Sequence, residues 1–180
     1  MHKTIAEESL LFDSSRMMVD LAVKVMEGHP DQLQAMIANC SKPYPISMRA
    51  ARVLQVYFEK HPNAISAFLP MLSNELLISN VDGVKRSFLK ILSLIPLITN
   101  LENAPLILDK CLEWLFSDKE AIAVRAYSID LLIKFALEEP GLLNEIRLAF
   151  EILPTEEYPS LMVRCRRGLK IMAARKSLAI

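Results

Sequence analysis

Four stretches of this chain superimpose on a single basic residue: "ISMRAARVLQVYF", "DGVKRSFLKILSL", "IAVRAYSIDLLIK" and "LMVRCRRGLKIMA". The aligned residues are Arg49, Lys85, Arg125 and Arg164, separated by 36, 40 and 39 positions. Met48, Val84, Val124 or Val163 precedes each, and seven residues on stands Val56, Leu92, Leu132 or Ile171. Seven residues are two helical turns, so each aliphatic residue lies on the same helix face as its basic residue. Self-similarity at this period means a repeated supersecondary unit that cannot bury its apolar face alone.

A second set of stretches lies between the first: "HPDQLQAMIANC", "HPNAISAFLPML", "NAPLILDKCLEWLF" and "EPGLLNEIRLAFEIL". Three begin with His-Pro or Glu-Pro, and proline suits the first helical position, where its missing N–H costs nothing. His29 and His61 stand at equivalent boundaries. The unit is therefore a helical hairpin, present four times, with a further helix at about residues 15–27 ahead of the first.

This period, with Val-Arg early in the second helix, resembles the HEAT-repeat family of α-solenoids over about residues 29–176. The resemblance implies an all-α fold, a right-handed α–α superhelix of four hairpins with an N-terminal capping helix. It implies a single domain over 1–180, with the cap at 1–28 and repeats at about 29–60, 61–98, 102–138 and 139–176. It also implies an aspartate shortly before the basic residue and paired with it. Asp118 takes that place for Arg125, and Asp82 for Lys85; none precedes Arg49, and before Arg164 only Glu156 and Glu157 are at hand. On this reading Arg49, Lys85, Arg125 and Arg164, with Asp118, belong to the architecture. Physical reasoning agrees. Arg125 lies in the middle of an apolar arc of about 220°, as wide as a helix needs when it has a hairpin partner and two neighbours. An arginine there must be met by a carboxylate or by carbonyls.

Composition bounds the function. The chain is 52% hydrophobic and 23% charged, with 21 basic and 21 acidic residues, the profile of a globular protein without wholesale attraction to nucleic acid or membrane surfaces. The most apolar run, "FLKILSLIPLITNL" at 88–101, is too short to span a bilayer and reads as a buried core helix. "MHKTIAEESLLF" has no long apolar core of the signal-peptide kind. Cys40, Cys111 and Cys165 are far apart and odd in number, which predicts reduced, buried thiols in a cytoplasmic protein. Cys165 lies among arginines that would depress its pKa.

No catalytic centre, metal site or cofactor is expected. HExxH, P-loop and GxSxG patterns are missing, and His29 and His61 lie about a repeat apart, too far to share a zinc ion. Trp114, amid Cys111, Leu115 and Phe116, reads as packing. Residues 158–180 carry Arg164, Arg166, Arg167, Lys170, Arg175 and Lys176 and no acid. Residues 136–157 carry six glutamates against Arg147, so much of the basic helix's charge is expected to be neutralised by its acidic hairpin partner, an exposed basic patch being the alternative.

The leading functional expectation is a non-enzymatic scaffold that binds a protein partner on the concave side of the superhelix. The edge two and nine positions after each basic residue is expected to be exposed: Ala51, Ser87, Tyr127 and Arg166, then Phe58, Leu94, Lys134 and Ala173. Candidate contacts are Tyr127, Asp130, Lys134, Arg166, Lys170, Arg86 and Lys90. Two alternatives remain. One is nucleic-acid binding through Arg164, Arg166, Arg167, Lys170, Lys134, Lys90 and Arg86, where the chain resembles the HEAT-like alkylpurine DNA glycosylases in general architecture. The other is a small-ligand enzyme or accessory subunit.

Overall fold

A computed structural model describes residues 13, 15–29, 31–153 and 158–178, with side chains as far as Arg175 in the last helix. Among them are nine α-helices, four short 3-10 segments and no strand. The helices are α1 (Arg16–Gly28), α2 (Gln32–Ala38), α3 (Ile46–Lys60), α4 (Leu69–Ile78), α5 (Asp82–Leu92), α6 (Ala104–Phe116), α7 (Ile122–Glu138), α8 (Leu143–Ile152) and α9 (Pro159–Leu178). They fall into two compact units, 1–95 and 96–180.

In the first unit α3 is central and packs on α1, α2 and α5, while α4 pairs with α5. Helix α1 starts where Ser15 Oγ accepts the Met18 N–H at 3.4 Å, satisfying one of the orphan donors of the first turn. Three flanking helices explain why α3 buries Ala50, Ala51, Val53, Leu54, Val56, Tyr57 and Phe58. The α3–α5 contact is close because Gly83 leaves room: a Cβ there would fall on the Met48 side chain. His29 and His61 end α1 and α3 with near-identical backbone angles, so these boundaries are equivalent as the sequence predicts.

In the second unit α7 takes the central place, packing on α6, α8 and α9, with α8 also against α9. Its buried residues cover a wide arc: Val124, Ala126, Ile129, Leu131, Leu132, Ile133, Phe135 and Ala136, with Arg125 among them. Gly168 does for α9 what Gly83 does for α5, because a Cβ there would lie 2.8 Å from both Ile133 Cδ1 and Phe150 Cε2.

Two expectations need correction. The run 88–101 is not one helix: α5 stops at Leu92, a turn follows, and residues 98–100 form a 3-10 segment. Pro96 is the physical reason. It offers no N–H, its ring clashes with the carbonyl four residues back, and it disfavours helix at Ile95. The helix starts also differ. Pro62 and Pro140 open 3-10 segments, Pro62–Phe68 and Pro140–Leu142, which lead into α4 and α8.

Candidate partner-binding surface

Arg125 is 2% exposed. Its Nε donates to the Leu115 carbonyl at 3.1 Å, and its guanidinium lies 5.0 Å above the ring of Tyr158. Asp118 is the looser partner. Its Oδ1 is 3.8 Å from Nη1, on a side chain 91% exposed, where water screens the pair. A carbonyl and a ring face therefore satisfy most of this buried cation. Lys85 is buried at the same repeat position and Arg49 is half-buried.

Arg164 occupies the fourth such position and is met differently. It donates to Asp130 of α7, and Arg167 donates to the other oxygen of that carboxylate at 3.1 Å. The Arg164 guanidinium lies 5.3 Å above the Tyr127 ring. Two arginine–tyrosine stacks thus cross this seam in opposite senses, Arg125 over Tyr158 and Arg164 over Tyr127. The partner of Arg164 comes from the preceding repeat, 34 residues back. Glu27–His61 and Ser41–Glu75 have that same separation of 34. This recurring offset is the sequence signal that would have located Asp130 as a structural partner; nothing comparable marks Tyr158.

Of the expected contact residues, Tyr127 and Asp130 are half-buried at this seam. Lys134, one turn further along α7, donates to the Pro96 carbonyl at 3.1 Å and pairs with Glu138 at 3.1 Å. Glu138 also accepts the backbone N–H and hydroxyl of Thr99. Arg166, Lys170 and Arg86 are exposed, and Lys90 is half-buried. The expected exposed edge does not run along every repeat, because Ala51, Ser87 and Phe58 are fully buried. In α7 the equivalent Tyr127 lies against Arg164 of α9 and Lys134 is tied to the Pro96 carbonyl, so the edge there is a seam. Only in α9 does it open to solvent, at Arg166 and Ala173.

The expected neutralisation of α9 rests partly on Glu156 and Glu157; the acids before them that are described are engaged elsewhere or exposed. Among the described residues Glu151 pairs with Arg147 of its own helix, and Glu139 accepts the Gly141 N–H. Among the described residues Asp130 of α7 is the acid that pairs with α9. Glu156, Glu157 and the side chain of Lys176 lie outside the described residues.

The three cysteines are free and buried. Desolvation pushes the Cys165 thiol up to about 11 and Cys111 up to about 12, and burial raises Cys40 as well. The depressed thiol expected at Cys165 is therefore corrected: its Sγ sits on the packed side of α9, away from the arginines, and burial penalises the thiolate. Trp114 is buried, as its neighbours in sequence predict. His61 Nε2 lies 3.0 Å from Glu27 Oε1 at the α1–α3 contact. Among the described residues no group of three or more His, Cys, Asp or Glu is placed to hold a metal ion. An apolar cleft of about 280 Å³ in the second unit is lined by Ala104, Pro105, Leu108, Phe135 and Leu142, with Thr99 and Glu139 at its polar margin. Both polar residues are engaged with the chain itself, so no acid–base pair converges there. Among the described residues no helix is long and apolar enough to cross a membrane.

A family model of the HEAT repeat domain matches residues 6–173. No curated protein and no solved structure is matched by the chain.

Proposed function

The chain belongs to the HEAT-repeat family, and from that premise we propose that it is a non-enzymatic scaffold holding a protein partner on the edge that its second helices leave open to solvent at α9. One observation carries the reading. Arg166 and Lys170 on α9, with Arg167 beside them, stand in solvent on a helix whose opposite side is packed. Repeat proteins of this kind bind through extended surfaces rather than deep pockets. Tyr127, Asp130 and Lys134 back that surface on α7. Arg86 and Lys90 on α5 offer a separate basic edge in the first unit. Arg49, Lys85, Arg125 and Arg164 serve the architecture in this scheme, with Asp118 in a minor part. Three free buried thiols support a reading in which the protein works in a reducing compartment such as the cytoplasm.

The test is affinity capture from the native host with the wild type and with Tyr127→Ala and Arg166→Ala. A partner retained by the wild type, reduced by Arg166→Ala and mapped to α9 by cross-linking, is the expected result. Capture of no protein under any salt condition, or turnover of a small molecule bound in the apolar cleft, would overturn the reading.

A further inference from the structure

We infer that the outward face of α9 docks an acidic amphipathic helix. The inference rests on the scaffold reading above and gives its partner a chemistry. Positions three and four apart share a helix face, so Val163, Arg166, Arg167, Lys170 and Ala173 form one stripe. All five are exposed, Val163 at 62%. The equivalents of Val163 and Ile171 in α7, Val124 and Leu132, are fully buried, whereas Ile171 is 37% exposed. A face that α7 has covered is thus open on α9, with its apolar residues still in place.

Charge selects what would cover it. Where α7 meets its neighbour, the two sides are complementary: α7 offers Asp130, and α9 brings Arg164 and Arg167 to it. On its own open side α9 offers cations. Arg166 and Lys170 have no ion-pair partner among the described residues, and Arg164 and Arg167 share one carboxylate, a local surplus of three positive charges. The covering partner must therefore carry Asp or Glu where α7 presents Asp130. The same partner must present apolar side chains to Val163 and Ile171, which a row of phosphates cannot do. A helix meets both needs along the 20 residues of α9, a length of about 30 Å. A nucleic-acid backbone would instead call for an uninterrupted cationic track.

The probe is a fluorescein-labelled peptide of about 20 residues, matched to α9 in length, with a leucine stripe flanked by glutamates. It is titrated into the full chain by fluorescence anisotropy at low salt. Saturable binding is expected, at least about tenfold weaker for the glutamine version of the peptide, since one lost charged contact is worth that much or more. The double variant Arg166→Glu/Lys170→Glu should weaken binding by at least about a hundredfold, and Val163→Asp by about tenfold. All three side chains are exposed, so circular dichroism and melting temperature should match wild type. Equal binding by the charge-reversed variant, or by the glutamine peptide, overturns the inference. So does a short DNA duplex that displaces the peptide at equal concentration, which would assign the face to phosphates. Host capture separates this site from the scaffold reading. A partner retained by Arg166→Glu/Lys170→Glu but lost with Arg86→Glu leaves the scaffold and removes the α9 site, whereas no partner at all counts against the scaffold whatever the peptide does.

Discussion

Helices α7 and α9 carry the same signature, a valine, then an arginine, then an aliphatic residue seven positions on, yet they put it to opposite uses. In α7 the valine, arginine and leucine are all within the core. In α9 the valine is mostly in water, the isoleucine is partly so, and the arginine is half-exposed on Asp130. The two helices differ in neighbours. Helix α7 packs on α6, α8 and α9, while α9 packs principally on α7 and α8. The comparison shows that a repeat motif specifies which side chains share a face and leaves their burial to whatever lies beyond.

The sharpest way to break this contrast is to remove each arginine. Arg125→Ala should cost about 3 kcal/mol, because it opens a cavity and leaves the Leu115 carbonyl short of its donor. Arg164→Ala should cost about 1 kcal/mol, as expected for a part-exposed pair. Urea denaturation monitored by circular dichroism measures both, and equal losses would mean that the two slots are energetically alike after all. The carboxylates should follow in reverse, with Asp130→Ala losing about 1–2 kcal/mol and Asp118→Ala less than about 0.5 kcal/mol. A large effect at Asp118 would restore the aspartate as the main partner of Arg125.

Packing gives a smaller contrast. Gly168→Ala pushes a methyl group against Ile133 and Phe150, and overpacking of about 1–3 kcal/mol should outweigh the gain in helix propensity of about 1 kcal/mol. A methyl group at Gly28 would meet open space, so Gly28→Ala should stabilise by up to about 1 kcal/mol. Thermal melts of the two variants should move in opposite directions. The least effect is expected at the α1–α3 contact. The hydrogen bond from His61 holds Glu27 below the usual carboxylate pKa, helped by Lys60. A carboxylate with a lowered folded pKa contributes stability above its unfolded value and loses it as pH falls through the folded one. The acid limb of stability against pH should therefore move slightly upward in His61→Ala, and an unchanged acid limb would show the contact to be idle.

Much of this was legible in the chain. The period located the hairpins, Val-Arg marked the second helices, and the wide apolar arc placed Arg125 inside. What escaped has physical causes. Pro96 ends α5 through a clash with its own preceding turn, a local effect that hydrophobicity alone obscures. Tyr127 and Asp130 looked like free surface because they oppose the apolar arc of α7, but the next repeat closes over them with Arg164. Cys165 looked activated by its sequence neighbours, yet on a helix adjacent residues point different ways, and its thiol faces the core.

By itself, then, the sequence determined the helical period, the hairpin unit and the residues that share each face, because these follow from backbone geometry and the spacing of apolar side chains. Only the tertiary structure decided which of the four equivalent basic residues are buried, that the main partners of Arg125 are a carbonyl and a tyrosine ring, and that the exposed edge survives on α9 alone. Burial and pairing depend on what packs against each flank, and that neighbour comes from another part of the chain.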